Sequence, residues 1–200
     1  SEDQSKKILN EFKGESEQIP PMYSALRYKG KRLYELARKG EIVDRAARKI
    51  EIFSMDLVDL SKDTINFEIT CSKGTYIRVL AEDIAKKLGM LGHVSKLRRK
   101  TVGNFCESKM VKLSVLEDLS QNNKLAISDY FITIDEALAE FSVVNLNDLQ
   151  SSKFRNGQQL EFNTHFDDKV KVFDHNNNLV GIAYKKNKNT LAPKRIFHLI

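Results

Sequence analysis

Tyr76 and Arg78 are the two side chains whose type and spacing most invite chemistry. They stand two residues apart in CSKGTYIRVLAEDIAKKLG (71–89), where a short polar turn hands an alternating stretch over to a helical one. A phenol offers a flat face for packing and a hydroxyl that both donates and accepts. A guanidinium holds a carboxylate in fixed geometry and keeps it ionised. The plainer readings are a core tyrosine at a helix start and a surface arginine, and the residue types alone leave both open.

Other reactive side chains suggest less. The two cysteines, Cys71 and Cys106, form no C-x-x-C pair, and each reads as a small core residue. His93, His165, His175 and His198 show no metal-ligand spacing. The expectation is therefore no metal. No apolar run approaches the roughly 18 residues of a membrane span, and the opening SEDQSKKILNEF is polar and helical, so the expected location is cytoplasmic, away from membranes.

Charge is segregated. The 200 residues carry a formal net charge of +6. Residues 27–48 hold eight basic side chains (Arg27, Lys29, Lys31, Arg32, Arg38, Lys39, Arg45, Arg48) against three acidic ones, an excess of five in one short segment. Lys96, Arg98, Arg99 and Lys100 form a second basic cluster. Residues 115–140 lean the other way, with six acids against Lys124. Such patterning favours an electrostatic footprint for phosphate over uniform solvation.

The elements that must position these groups follow from periodicity. Residues 1–12 read as an amphipathic helix capped by Ser1 or Ser5, with Ile8, Leu9 and Phe12 on one face and Gly14 ending it. Pro20-Pro21 forces an extended segment, and residues 31–39 look helical between Gly30 and Gly40. Residues 48–71 read as two strands around Ser61-Lys62-Asp63, the second alternating Ile65, Phe67, Ile69 and Cys71 with polar residues. A helix follows, with Thr75 as its cap, an apolar face of Ile77, Leu80, Ala81, Ile84 and Leu88, and Gly89 as its stop. Residues 93–105 read as a strand and the acidic stretch to about residue 140 as helical. Val170–Phe173 and Leu179–Tyr184 flank a polar turn in a hairpin pattern, and a last strand is expected near Ile196–Leu199.

Three segments, in order, resemble the bacterial tRNA pseudouridine-55 synthases of the TruB family: QIPPMYSALRYKGKRLYELARKG (18–40), CSKGTYIRVLAEDIAKKLG (71–89) continuing to GHVSKLRRKTVGNF (92–105), and, more weakly, NGQQL (156–160) with LAPKRIF (191–197). The resemblance implies an α+β fold: part of the pseudouridine synthase mixed sheet with flanking helices over residues 1–140, then a small PUA-like β-domain over 141–200. It implies isomerisation of a T-loop uridine to pseudouridine without cofactor or metal. It makes Tyr76 the tyrosine at the flipped uracil, Arg78 the partner of the catalytic aspartate and Leu97 the apolar residue under the base. It makes residues 20–48 an RNA-gripping thumb, in which Tyr23, Arg27, Lys29, Lys31, Arg32 and Arg38 meet RNA, with Arg98 and Arg99 as further RNA-binding residues and Lys194 and Arg195 as contacts of the β-domain. The implied partner is tRNA, through its T-stem-loop and acceptor stem.

The family's aspartate lies in a G-x-L-D-P-type motif, and no such context occurs in these residues. Glu82 and Asp83 fall within the helix after Arg78 and look solvent-facing. The expectation is a C-terminal portion of the enzyme that is inactive alone, with open sheet edges that lead to self-association or a partly disordered first domain. Two rivals remain: a stand-alone RNA-binding module without chemistry, and an α/β domain whose basic patches are incidental.

Overall fold

The computed structural model describes residues 1–122, 129–162 and 167–197, and the chain divides by its internal contacts into two compact units, 1–98 and 99–200. The expected boundary at 140/141 lies inside the second unit.

The first unit opens with helix α1 (Glu2–Glu11), whose Ser1 hydroxyl accepts from the Gln4 N–H. Strand β1 (Gly14–Gln18) follows, with Gly14 at φ +97° opening the strand. Then come the two-residue strands β2 (Arg27–Tyr28) and β3 (Lys31–Arg32), helix α2 (Leu33–Arg38), strands β4 (Arg48–Leu60) and β5 (Ile65–Cys71), and helix α3 (Ile77–Lys87). An antiparallel sheet runs in the order β1-β4-β5. Ile8 and Leu9 of α1 and Leu80 and Ile84 of α3 pack with Ile52 and Met55 of β4. Each such side chain contributes about 1.5–3 kcal/mol by leaving water.

Strict alternation would put Ile52 and Met55 on opposite faces of β4. The first of two bulges resolves this. Phe53 is the extra residue between the pairs Ile52–Cys71 and Ser54–Thr70, and Val58 the extra one between Leu57–Phe67 and Asp59–Asn66. Both extra residues are exposed, and the shift returns Met55 and Leu57 to the buried side.

Between β1 and β4 the chain leaves the sheet as an arm. The expected helix over 31–39 starts later: Lys31 and Arg32 pair with Tyr28 and Arg27, and α2 begins at Leu33. The hairpin loop is Lys29-Gly30, at φ +48° and +84°. Two consecutive left-handed residues match the twist of a two-residue hairpin, and this local geometry takes Lys31 and Arg32 from the helix. Leu33 and Leu36 are the buried residues of α2.

The second unit holds β6 (Thr101–Val102), β7 (Phe105–Cys106), helices α4 (Leu113–Asn122) and α5 (Ile134–Ala137), strand β8 (Ser142–Asn145), helix α6 (Asp148–Arg155), and strands β9 (Leu160–Glu161), β10 (Lys169–Phe173), β11 (Leu179–Asn187) and β12 (Thr190–Ile196). The larger sheet is ordered β8-β10-β11-β12-β9. The β10–β11 hairpin is where the sequence puts it, and the last strand starts at Thr190, six residues before the expected position. The β11–β12 turn is tight enough for Thr190 to pair with Asn187. The end of that expected strand, 198–199, lies outside the described residues, as does part of the acidic stretch. Three elements of this unit were not anticipated: β8, which pairs parallel to β10, β9, which pairs with β12, and α6, which Asn147 and Gln150 cap reciprocally. Phe154 of α6 is fully buried among Leu146, Leu160, Val170, Val172, Val180, Ala183 and Leu191.

The expected strand over 93–105 does not form. Residues 91–100 carry no regular structure apart from a bend at Ser95, and only β6 and β7 pair, around Gly103 at φ +54°. The positive φ turns the chain back after two residues. With no sheet to bury it, Cys106 is exposed, against its reading as core, while Cys71 is half-buried beside the first core.

Candidate nucleic-acid interface

Tyr76 stands at the handover from β5 to α3. Ser72 continues the β4–β5 pairing in both directions: its N–H donates to the Glu51 carbonyl at 2.8 Å, and its Oγ accepts from the Glu51 N–H at 2.9 Å. Gly74 turns the chain at φ +88°. Thr75 is not the helix cap. Its hydroxyl donates back to the Ser72 carbonyl at 3.0 Å, and the N-cap position falls to Tyr76, extended at φ −95° and ψ 103°, with no side-chain cap of its own.

What holds Tyr76 comes from β1. The Gln18 side chain accepts from the Tyr76 N–H at 2.8 Å and donates to the Tyr76 carbonyl at 3.2 Å. Gln18 is only 6% exposed. The same carbonyl takes the first bond of α3, from the Leu80 N–H at 3.1 Å. At the far end of α3, Lys87 reaches Glu11 of α1 at 2.6 Å and lies 5.2 Å from the Phe12 ring centre. That ammonium holds the Glu11 carboxyl below its ordinary range.

Tyr76 is half-buried and Arg78 exposed, so neither lies in a sealed apolar interior. The Arg78 guanidinium donates through Nη2 to the Tyr23 carbonyl at 2.8 Å. Tyr23, from the PPMYSAL segment, has its side chain largely in solvent at 58%. The arm's root is thus held at two points, Gln18 on Tyr76 and Tyr23 on Arg78. Of the neighbouring acids, Glu82 is exposed and Asp83 half-buried, ion-paired with Lys86 at 3.2 Å.

The basic side chains of the arm are grouped by its hairpin. Arg27 opposes Arg32, Tyr28 opposes Lys31, and Lys29 caps the turn. All five are exposed, and Lys29 lies 5.5 Å from the Tyr28 ring centre. Like charges directly across a hairpin disfavour pairing by themselves, so the cluster is costly unless an anion meets it. Arg38, on α2, is exposed and stacks 5.4 Å from the Tyr34 ring centre.

The remaining candidates are more dispersed. Leu97 is 61% exposed and takes no part in a core; Arg98 and Arg99 are exposed in the same irregular stretch. Lys194 and Arg195 are exposed on β12 and line, with Gly157, Pro193 and Ile196, a cleft of about 490 Å³. Among the described residues no group of three His, Cys, Asp or Glu side chains could hold a metal ion, and no helix is long and apolar enough to cross a membrane. Gln18 was missed: a glutamine at the end of a polar strand carries no periodic signal, and its role depends on Tyr76, 58 residues later.

Residues 1–77 match the TruB family pseudouridylate synthase (N terminal domain), residues 78–139 the tRNA pseudouridylate synthase B C-terminal domain, and residues 142–197 the pseudouridine synthase II TruB C-terminal domain. The tRNA pseudouridine synthase B of Nitrosococcus oceani is 37% identical over 195 residues, covering 97% of this chain and 63% of the relative. That of Hydrogenovibrio crunogenus is 38% identical over 193 residues, covering 96% and 61%. The chain therefore spans less than two thirds of the length of these relatives. Among solved structures, a Cbf5-Nop10-Gar1 complex superposes with a TM-score of 0.70 at 21% identity, covering 98% of this chain and 62% of that one. An H/ACA RNP bound to a substrate RNA containing 2'-deoxyuridine superposes at 0.68 and 20%, covering 100% and 62%. These two likenesses establish the α+β fold, while the consecutive matches along the sequence carry the descent: the chain belongs to the TruB family of pseudouridylate synthases.

Proposed function

We propose that the protein carrying this chain isomerises a T-loop uridine of tRNA to pseudouridine, with these residues supplying the grip on RNA and one wall of the uridine site. The observation that carries the reading is the joining of Tyr76 and Arg78 to a basic, aromatic arm through Gln18 and Tyr23. The reaction breaks the bond from uracil N1 to C1′, forms one from C5 to C1′, and moves a proton from C5 to N1. It is redox-neutral and balanced within the substrate. The half-buried phenol of Tyr76 offers the flipped base a flat face and a hydroxyl for proton movement at C5. Arg78 spends one N–H on Tyr23 and, with five donors in a rigid fork, keeps others for a carboxylate. Extruding the base costs a few kcal/mol, supplied by Arg27, Lys29, Lys31, Arg32 and Arg38 on phosphate and by Tyr23 in stacking. Lys194 and Arg195 of the second unit are suited to the acceptor-stem backbone, and Arg98 and Arg99 to phosphate nearer the T-stem-loop. Leu97, exposed as it is, is free to pack beneath a base.

Tritium release from tRNA labelled at uracil C5 tests the reading. The full-length protein is expected to release one equivalent per tRNA. The 200-residue chain, which contains no G-x-L-D-P-type aspartate, is expected to bind tRNA and release none. Salt-dependent binding without release by the full-length protein would instead establish a non-catalytic RNA-binding module.

A further inference from the structure

We infer that Gln18 is a positioning residue for the uridine site: its amide fixes the main chain of Tyr76 from both sides and ties the root of the RNA-binding arm to it. The inference rests on the functional reading above and names a residue that acts through Tyr76. One amide serves both polar main-chain groups of a single residue, accepting from its N–H at 2.8 Å and donating to its carbonyl at 3.2 Å. An aliphatic side chain can do neither, and an ionised carboxylate can only accept. Thr75 and Tyr76 provide no side-chain cap for α3, so without Gln18 the Tyr76 N–H loses the partner it has in this structure. The ring direction follows from the main chain that carries it. Gln18 is also the last residue of β1, followed directly by Ile19-Pro20-Pro21. The prolines stiffen the chain, and Tyr23, two residues beyond Pro21, is bound by Arg78. Two ties on either side of a stiff segment make the arm's root and the Tyr76–Arg78 turn one body.

Single-turnover conversion of saturating tRNA by the full-length protein, set beside tRNA affinity, tests this. Gln18→Leu is expected to slow conversion by roughly tenfold to a hundredfold, the scale of a small misplacement in a reacting geometry, while Kd stays within about threefold, because the phosphate contacts are elsewhere. Gln18→Glu supplies a readout that a merely structural role would not move. A protonated carboxyl donates and accepts as an amide does, so its rate relative to the unaltered protein is expected to recover as pH falls from 8 to 5. This ratio does not involve Gln18→Leu, so the test survives if that variant fails to fold. A Gln18→Leu protein that converts saturating tRNA at the unaltered rate, or a Gln18→Glu ratio that stays flat with pH, overturns the positioning role and leaves the functional reading intact. An unaltered protein that forms no pseudouridine overturns both.

Discussion

Arg78 and Tyr23 meet across 55 residues of sequence, the guanidinium Nη2 donating to the main-chain carbonyl at 2.8 Å. The contact is made to backbone, so no change of the Tyr23 side chain removes it directly, and Arg78 is the partner that can be altered. Arg78→Lys keeps the charge and loses the planar fork. The arm should then open more often. Timed trypsin digests read by mass spectrometry are expected to show cleavage within residues 24–48 accelerating severalfold, with the melting temperature unchanged, since proteolysis follows the population of the open form. An unaltered digestion pattern would show that this contact does not restrain the arm.

The arm's hairpin makes a quantitative statement about salt. Lys29, Lys31 and Arg32 are exposed within one turn and the strand after it. Each phosphate contact contributes about 0.7–0.9 to the slope of log K against log salt. Replacing all three by alanine is expected to reduce the slope of tRNA binding by about 2, measured by filter binding across a salt series. A parallel shift with the slope unchanged would place the phosphate contacts on other residues.

Gly181 faces the closest approach found at a glycine here. A Cβ built on it would lie 2.3 Å from the Arg195 carbonyl oxygen and 2.9 Å from the Phe154 ring. The first of these is backbone, so the β11–β12 pairing must shift to admit a methyl group. Gly181→Ala is expected to destabilise the second unit by about 1–3 kcal/mol, and tRNA affinity should fall with it if Arg195 meets RNA. Urea unfolding with the same midpoint as the parent would contradict the packing.

Asp174 gives a pH dependence with a definite sign. Burial opposes its ionisation. That penalty is outweighed by the Asn178 N–H and side-chain amide, by Arg155 at 2.9 Å and by the Asn176 N–H, and its carboxyl sits below the ordinary aspartate range. A depressed folded value contributes stability that is complete above the ordinary value of 3.8 and lost as pH falls through the folded one. The stability difference between pH 6 and pH 3 is therefore expected to shrink in Asp174→Asn, which should also cost about 1–3 kcal/mol at neutral pH. Chemical denaturation at the two pH values checks both; an unchanged difference would show that Asp174 carries none of the acid sensitivity.

Wherever a local rule governed, the elements were legible. Ser1 caps α1, Ile65 to Cys71 alternate in β5, and the polar run Asp174–Asn178 turns between β10 and β11. Reading failed where a competing contact decided. Phe53 and Val58 break the alternation of β4 because the partner strand has one residue fewer at each point. Thr75 has the composition of a cap, yet its hydroxyl goes to Ser72. Cys106 looks like core by type and is exposed, because the strand that would have buried it is cut to two residues by Gly103.

By itself the sequence determined the chemistry available: a phenol and a guanidinium at a strand-to-helix turn, a basic arm rich in tyrosine, and the ordered motifs of one family. Side-chain type and short-range periodicity are local properties, and they survive in a linear text. Tertiary structure alone decided that a buried glutamine of β1 holds both main-chain groups of Tyr76, and that Arg78 reaches the backbone of Tyr23. Those bonds join residues 58 and 55 positions apart, and nothing in the spacing of either partner encodes the meeting. It arises because β1 and β5 lie on either side of β4 in one antiparallel sheet, which brings the start of the arm to the start of α3.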